Sequence, residues 1–174
     1  NQDNAPDIMF SNTLGTSISQ MLNSGVGEFL GPTVAGQGSA NALYVADMNQ
    51  DGVADLVLRE NGGASWLRGT VVGSALQFTT PSVSLYKGTT ADAFGIADVN
   101  SDGYPDVIRA ATLDGSVGWI RNDRGFLFFD EKQIAASGIA PFALGVHATD
   151  IDGDGDQDLV VGQNIACLLY TSPS

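Results

Sequence analysis

The stretch DVNSDGYPDV, residues 98–107, carries carboxylates at its first, fifth and ninth positions and an amide side chain at its third. Such a loop is electrostatically unfavourable by itself, because two like charges about 4 Å apart cost roughly 4 kcal/mol at an effective dielectric constant of 20. The three carboxylates must therefore either spread into solvent or surround a positive charge. The interpretation of the whole chain depends on which of these happens.

The same pattern, D-x-[DN]-x-D-G-x-x-D followed by a hydrophobic residue, occurs twice more, as DMNQDGVADL (47–56) and DIDGDGDQDL (150–159). We call residues 47–55 loop 1, residues 98–106 loop 2 and residues 150–158 loop 3, and we number the positions of each loop from one to nine. The loops begin 51 and 52 residues apart. This regular spacing indicates a repeat architecture.

The first ten residues contain part of a fourth copy. NQDNAPDIMF, residues 1–10, aligns with NQDGVADLVL, residues 49–58. The alignment assigns Asn1, Asp3 and Asp7 to the third, fifth and ninth positions. We therefore expect a repeat whose first strand is missing from this sequence.

The charge of the chain is concentrated in these copies. The 174 residues include 20 acidic and 7 basic side chains, for a net charge of −13. Thirteen of the acidic residues belong to the four copies: Asp3, Asp7, Asp47, Asp51, Asp55, Asp98, Asp102, Asp106, Asp150, Asp152, Asp154, Asp156 and Asp158. A hydrophobic content of 43% argues against a disordered acidic tail. The lack of a basic cluster argues against nucleic acid as a partner, and no apolar run reaches the ~18 residues that predict membrane insertion.

The segments between the loops are short and apolar, and turn residues bound them. Each loop lies between two such segments, for example ALYVA and DLVLR, and a third follows as SWLRG or VGWIRN. A fourth follows as ALQFTT or FLFFDEKQIA. Enrichment in Val, Ile, Leu, Phe and Trp predicts strands. Four antiparallel strands in about 50 residues match one propeller blade, so we predict an all-β, β-propeller-type fold of four-stranded antiparallel blades.

These features resemble the FG-GAP/VCBS repeat family, whose members include the integrin alpha-subunit propeller. The acidic loop carries most of the resemblance, and Phe94-Gly95 before loop 2 is similar to the Phe-Gly element of the family. The other copies depart from it, since Leu43-Tyr44 has no glycine and Leu144-Gly145 lies further from its loop. The resemblance implies that each loop binds calcium between the first and second strands of a blade.

The resemblance also implies the ligands. Side chains at positions one, three, five and nine would bind calcium together with the backbone carbonyl at position seven. These residues are Asp47, Asn49, Asp51, Val53 and Asp55 in loop 1; Asp98, Asn100, Asp102, Tyr104 and Asp106 in loop 2; and Asp150, Asp152, Asp154, Asp156 and Asp158 in loop 3. We therefore expect about three complete calcium sites.

The residue types in the loops favour calcium over magnesium and zinc, independently of the family resemblance. Calcium takes six to eight oxygen ligands in flexible geometry, whereas magnesium requires a tighter octahedron. Zinc would call for His or Cys, which the loops lack. Glycine at position six, which is Gly52, Gly103 or Gly155, permits the positive φ of a tight turn.

Two alternatives to a propeller calcium loop are an EF-hand and a metal-free turn. An EF-hand needs flanking helices and a bidentate Glu at position twelve, but that position holds Leu58, Arg109 or Val161. An Asp- and Asn-rich turn without metal, in which carboxylates accept backbone N–H groups, remains open. Turn chemistry by itself does not require the ninth-position Asp, and three copies in register therefore favour calcium.

His147, Trp66, Trp119 and Cys167 are the other residues whose chemistry could indicate a function. His147 is the only histidine, and we expect it to be packed or hydrogen-bonded rather than catalytic, because a general base needs a partner and a pocket. Trp66 and Trp119 occupy similar places in their repeats, and we expect them to pack between blades rather than to stack on sugars. With a single cysteine, Cys167, the chain forms no intrachain disulfide.

We expect one repeat domain that forms an open arc of about three to four blades from a larger propeller, since propellers close with about four to eight. The expected blades are residues 1–35 (partial), 41–80, 93–135 and 142–170 (partial), and residues 166–174 look like a non-native tail.

The predicted function is that of a calcium-binding extracellular module, secreted or on the cell surface. It would be non-catalytic and act in binding or adhesion, with a glycan or protein ligand and with the remaining blades of its propeller as partners. Calcium sites as weak as those typical of extracellular modules would be empty in the cytosol, which favours secretion or surface display. The alternatives are a portion of a secreted carbohydrate-active enzyme, similar to a propeller polysaccharide lyase, and a structural spacer.

Overall fold

The computed structural model describes residues 4–11, 15–60, 63–73, 75–79, 83–87, 93–111, 115–124, 127–128, 132–135, 143–164 and 167–170. All the regular secondary structure in these ranges is β-strand, which confirms the predicted all-β class. The strand pairings whose register is described are antiparallel. Among these residues no helix has the length and apolar character needed to cross a membrane. The chain forms two compact units, one of Asn1–Val45 with Gly52–Lys87 and one of Ala46–Asp51 with Gly88–Ser174.

The first unit contains a three-stranded and a four-stranded sheet. The three-stranded sheet has the order β1-β2-β3: β1 (Ile8–Ser11), β2 (Ser17–Met21) and β3 (Thr33–Gln37). The four-stranded sheet has the order β4-β5-β6-β9, and the hairpin β7-β8 lies between β6 and β9 in sequence: β4 (Ala42–Ala46), β5 (Asp55–Glu60), β6 (Gly63–Leu67), β7 (Gly69–Val72), β8 (Ala75–Phe78) and β9 (Val83–Lys87).

The fourth strand of this sheet differs from the sequence-based expectation. The segment ALQFTT was expected to supply it, but Ala75–Phe78 pairs with β7 instead. A short connection containing Gly73, whose φ is +66°, joins the two strands. Glycine adopts a positive φ readily, which favours a local hairpin. The later segment Val83–Lys87 therefore completes the sheet by pairing with β6.

The core of the first unit consists of side chains from both sheets. Alternate residues of β5 face this core, as period-two strand geometry requires, and Ile18 of β2 packs in the same cluster. The buried members are Ile18, Ala35, Ala40, Leu56, Leu58, Leu67 and Phe78. Sheet-on-sheet burial of this kind is what blades need for stability, because an isolated sheet leaves one apolar face in water.

The second unit repeats the arrangement. Its four-stranded sheet has the order β10-β11-β12-β15, the two-stranded ribbon is β13-β14, and its three-stranded sheet has the order β16-β17-β18. The strands are β10 (Ala93–Ala97), β11 (Asp106–Ala110), β12 (Val117–Ile120), β13 (Asn122–Asp123), β14 (Leu127–Phe128), β15 (Lys132–Ala135), β16 (Ala143–Thr149), β17 (Asp158–Gln163) and β18 (Cys167–Tyr170). Side chains of both larger sheets form one core: Ala93, Ile108, Ala110, Val117, Ala143, Val146, Leu159 and Val161.

Gly95 explains why a Phe-Gly pair precedes loop 2. A Cβ atom at Gly95 would lie 2.8 Å from the carbonyl oxygen of Val146 in β16. Phe94 is buried at the adjacent position. Glycine therefore permits close approach of β10 to β16 within the second unit, as expected where one backbone packs against another.

The C-terminal segment forms a strand. Cys167–Tyr170 pairs with β17 and takes the place in its sheet that β6 and β12 take in theirs. The sequence of this segment differs from SWLRG and VGWIRN, and for that reason residues 166–174 were expected to be a non-native tail. Residues 171–174 lie outside the described part of the chain.

Candidate metal centres

Each acidic loop connects the first strand of a sheet to the second, as predicted. Loop 2 connects β10 to β11, and loop 3 connects β16 to β17. Loop 1 connects β4 to β5, and the boundary between the two units falls within it: residues up to Asp51 belong to the second unit and Asp55 belongs to the first. In every loop the ninth-position Asp is also the first residue of the second strand.

The ninth-position carboxylates are buried. Asp55 and Asp106 have no exposed surface and Asp158 is 1% exposed. Asp106 accepts the N–H of Val99, at position two of its own loop, at 3.1 Å and the N–H of Asn122 at 2.7 Å. Ile151 donates to Asp158 at 2.9 Å, and Gly69 donates to Asp55 at 2.7 Å. Each carboxylate thus fixes backbone close to where its loop meets the sheet.

Burial leaves Asp106 electrostatically unfavourable. It raises the pKa of the Asp106 carboxyl to about 6, although the N–H groups of Asn122 and Val99 lower that pKa. The neighbouring carboxylates of Asp102 and Asp98 raise it further. A cation bound among these groups would lower the pKa again, because an opposite charge within about 4–6 Å favours the ionised form.

First-position carboxylates accept hydrogen bonds from the backbone of the turn. Asp98 accepts from the N–H of Asp102 at 3.1 Å and from the N–H of Gly103 at 2.7 Å. Asp150 accepts from the N–H of Gly153 at 2.7 Å and from the N–H of Gly155 at 3.1 Å. Asx turns without metal make bonds of this type, so the bonds themselves do not separate the two interpretations of the loops.

Third- and fifth-position side chains lie together. The amide of Asn49 donates to Asp51 at 3.0 Å in loop 1, where Asp47 accepts the N–H of Asp51 at 3.1 Å. The amide of Asn100 donates to Asp102 at 2.9 Å in loop 2. The corresponding residues of loop 3 are both aspartates, and Asp152 accepts the N–H of Asp154 at 3.2 Å, while Asp154 accepts that of Asp156 at 2.9 Å.

Positions four and six of every loop have a positive φ. At position six the angles are +82° at Gly52, +92° at Gly103 and +95° at Gly155. At position four they are +56° at Gln50, +56° at Ser101 and +81° at Gly153. Glycine adopts this region freely, whereas Gln50 and Ser101 are strained there. The residues with a positive φ close the turn, and the sequence predicted a positive φ only at position six.

Loop 3 places three carboxylates around one centre. Oxygen atoms of Asp150, Asp152 and Asp158 all lie within 4.8 Å of one another, and the first two residues are exposed while the third is buried. Oxygens bound to one calcium ion at 2.3–2.6 Å lie at most about 5 Å apart. The donor set is oxygen only, which suits calcium. The geometry of loop 3 therefore fits a calcium ion.

The backbone ligands at position seven and the ligands of the N-terminal copy stay predictions. The carbonyl groups of Val53, Tyr104 and Asp156 occupy position seven, after the left-handed glycine. In the N-terminal copy, Asp7 accepts the N–H of Asn23 at 2.8 Å. Asn1 and Asp3, the other members of that copy, lie outside the described residues.

Two asparagines were missed by sequence inspection. Asn23 donates its side-chain amide to the Pro6 carbonyl at 3.2 Å, and Asn122 donates to the Pro105 carbonyl at 2.9 Å. The backbone N–H of each also binds the ninth-position Asp of the same copy. In both copies the asparagine follows a Pro-Asp pair and lies sixteen residues after the Asp. That shared spacing is the signal that could have revealed them.

Three side chains outside the loops, Trp66, Trp119 and His147, were also candidates for a function. Trp66 and Trp119 are buried in β6 and β12, so neither is an exposed stacking platform. His147 lies on β16 with its side chain exposed, so the packed alternative is wrong and the hydrogen-bonded alternative stays a prediction. Neither observation supports a catalytic role for these residues.

Acidic loops between the first two strands of antiparallel sheets define a β-propeller repeat module. The sequence profile of the FG-GAP-like repeat matches residues 1–58, 47–109 and 98–161, so the chain belongs to the FG-GAP-like repeat family. It is 30% identical to integrin alpha-4 of Xenopus laevis over 157 residues, which cover 76% of this chain and 15% of that protein.

Two further relatives are similar over comparable lengths. Integrin alpha-3 of Cricetulus griseus is 27% identical over 155 residues, covering 75% of this chain and 14% of that protein. The phosphatidylinositol-glycan-specific phospholipase D of Homo sapiens is 25% identical over 175 residues, covering 76% of this chain and 20% of that enzyme. The chain therefore spans a fifth or less of each of these relatives.

Proposed function

We propose that the chain is a set of calcium-binding blades from an extracellular propeller, and that it acts in binding or adhesion without catalysing a reaction. The convergence of the Asp150, Asp152 and Asp158 carboxylates is the main support. Three ionised groups at that separation repel strongly, and a divalent cation compensates for the repulsion. Similarity to two integrin alpha subunits supports a cell-surface or secreted setting and an adhesive role.

In this proposal calcium has a structural role. The ion would be held by the side chains at positions one, three, five and nine and by the carbonyl at position seven. It would supply positive charge among buried and exposed carboxylates and would not polarise a substrate. A site with a dissociation constant of about 10⁻⁴ M contributes roughly 1.4 kcal/mol at about 1 mM calcium. Three such sites matter to a fold that is only ~5–15 kcal/mol stable.

The loops should differ in calcium affinity. Loop 3 has Asp at position three, where loops 1 and 2 have Asn49 and Asn100. It also has Gly153 at the left-handed fourth position, where the other loops have strained residues. Calcium affinity rises with the number of charged ligands and depends on the rigidity of the site. Loop 3 is therefore expected to bind calcium most tightly.

Calorimetric calcium titration of the chain tests the proposal. We expect a stoichiometry near three and an increase in the unfolding temperature with calcium. Asp150→Asn should weaken loop 3 by at least about tenfold, because it removes a charged ligand and one acceptor of a turn hydrogen bond. Asp152→Asn should weaken it less, because it reproduces the residue of the other loops. Glu28→Gln is a matched control that removes one charge outside the loops. Titration without heat and melting unaffected by calcium would refute calcium binding.

A second candidate function follows from the third relative. Similarity to the phosphatidylinositol-glycan-specific phospholipase D over 76% of this chain indicates that such repeats also occur within an enzyme. On this hypothesis the blades would be a non-catalytic part of a larger secreted hydrolase. Removing the repeats from the full-length parent would then reduce turnover or secretion. Ligand-dependent cell attachment by the isolated repeats would instead favour adhesion.

A further inference from the structure

Within the second unit, Asn122 is in contact with the backbone of loop 2 and with the part of loop 1 that belongs to that unit, Asp47–Asp51. Its side-chain amide donates to the carbonyl of Met48 at 2.6 Å and to the carbonyl of Pro105 at 2.9 Å. Met48 is position two of loop 1, and Pro105 is position eight of loop 2. The side chains of Asn122 and Met48 have no exposed surface. One buried amide therefore holds the backbone of both loops beside their predicted ligands.

A second hydrogen bond joins the same two loops. The side-chain amide of Gln50, at position four of loop 1, donates to the carbonyl of Gly103, at position six of loop 2. The following residue, Tyr104, carries the carbonyl predicted to bind the ion in loop 2. This second bond is exposed, whereas the bonds of Asn122 are buried. We therefore expect the hydrogen bonds of Asn122 to contribute most of the coupling between loop 1 and loop 2.

At this position the structure describes the N-terminal copy, the loop 1 copy and the loop 2 copy, and these can be compared. Asn23 binds the carbonyl of Pro6 in its own copy, as Asn122 binds that of Pro105. In the copy that contains loop 1, the residue that donates its N–H to the ninth-position Asp is Gly69, which has no side chain. Loop 1 thus lacks an asparagine of its own at this position. The bond from Asn122 to Met48, both in the second unit, supplies a side-chain amide to the backbone of loop 1.

We propose that Asn122 is a positioning residue that couples cation binding by loop 1 to cation binding by loop 2. This inference rests on the proposed calcium function of the loops. An ion in loop 2 would order the backbone at Pro105, and Asn122 would then order Met48 and the ligands on either side of it. Part of the entropy loss of ordering loop 1 would already have occurred, so a second ion binds more tightly. Coupling between sites is reciprocal and typically amounts to 5- to 150-fold.

Site-resolved calcium titration by NMR measures this coupling. The backbone amides of Gly52, Gly103 and Gly155, one in each loop, report occupancy of loops 1, 2 and 3. Loop 1 is disabled by Asp47→Ala. With Asn122 present, we expect this substitution to weaken calcium binding by loop 2 about 5- to 10-fold. Calcium binding by loop 3 should be unchanged and serves as the internal reference.

The same comparison is then made in Asn122→Ala. We expect disabling loop 1 to change the affinity of loop 2 less than about twofold in this background, since the buried connection is gone. Asn122→Gly is a second variant that reproduces the residue at Gly69 and retains the backbone N–H to Asp106. Asn23→Ala is the matched control, which removes an amide-to-proline bond in the first unit and should leave the coupling intact.

The outcomes separate this inference from the proposed function. If the loops titrate with calcium but the coupling is equally large in Asn122→Ala and Asn122→Gly, or is absent with Asn122 present, the role of Asn122 is refuted and calcium binding stands. If none of the three glycine amides responds to calcium, both proposals are refuted. A role of Asn122 in stability alone would lower the unfolding temperature without changing the ratio of the two loop 2 affinities.

Discussion

Replacing Asp106 with Asn tests whether an uncompensated carboxylate is buried in loop 2. The pKa of this carboxyl is about 6 in the folded protein, against an ordinary value of 3.8, chiefly because of burial. Each pKa unit corresponds to about 1.4 kcal/mol, so ionised Asp106 destabilises the calcium-free fold by on the order of 3 kcal/mol near neutral pH. The asparagine accepts the N–H of Val99 or that of Asn122 but not both, and the unsatisfied donor costs about 1–3 kcal/mol. The two effects nearly cancel.

The pH dependence separates these two effects. Because the folded state retains the Asp106 proton to a higher pH than the unfolded chain, the folded state binds more protons between about pH 4 and 6. The stability that Asp106 contributes at low pH is therefore lost as the pH rises through that window. In chelator, we expect the wild-type free energy of unfolding minus that of Asp106→Asn to fall by on the order of 3 kcal/mol from about pH 4 to pH 7.

Near neutral pH, calcium should change the difference in free energy of unfolding between wild type and Asp106→Asn. At about 1 mM calcium the wild type gains roughly 1.4 kcal/mol for a site of about 10⁻⁴ M, and the variant loses most of that gain. Urea unfolding monitored by tryptophan fluorescence, in chelator and in calcium, gives the free energies of unfolding of both proteins. Glu28→Gln controls for the change in net charge. A difference between wild type and Asp106→Asn that stays constant with pH in chelator would refute the burial argument, and equal calcium stabilisation of both would remove Asp106 from the ligand set.

Five further substitutions follow from the packing and the turns, each checked by urea unfolding. Gly95→Ala should lower stability by about 2 kcal/mol or more, because the added methyl meets a backbone carbonyl of β16, whereas Gly145→Ala, with no atom within 4 Å, should change it by less than about 0.5 kcal/mol. Ser101→Gly should raise calcium-free stability by about 0.5–1 kcal/mol through relief of its positive φ, and Gly153→Ala should lower it by about 1 kcal/mol for the converse reason. Ile108→Ala should cost about 2–5 kcal/mol, because the side chain is fully buried in the core of the second unit.

The repeat pattern was sufficient to predict the strands around each loop. Residues such as Asp106 mark both the end of a turn motif and the start of an apolar strand, and local sequence carries both signals. The fourth strand of the β4 sheet was not predictable in the same way. ALQFTT and VSLYK are both plausible strands, and the choice between them depends on the β7-β8 hairpin, in which Gly73 closes a local turn.

The side chains around the loops were only partly predictable. The motif included the three carboxylates that converge in loop 3, and it also included Asp154, which is not part of that group. It contains no information on the burial of Asp158 or Asp106. The contacts of Asn122 join residues 17 and 74 positions apart, and such distances have no periodic signature in one sequence. Non-local hydrogen bonds of this kind follow from the packing of sheets, which a pattern of strands does not specify.

The position of the ninth-position carboxylate explains how a bound ion would stabilise a sheet rather than a loop alone. Asp106 begins β11, and one of its oxygens accepts the N–H of Asn122, just after β12, while the other accepts the N–H of Val99, just after β10. A single carboxylate thus connects three consecutive strands of one sheet. An ion that fixes this carboxylate would resist separation of all three, whereas an ion held only by exposed turn residues would order the turn and leave the strands unaffected. Burial of an acid at this position is unfavourable without the ion, and the same feature would transmit the stabilisation to the sheet once the ion is bound.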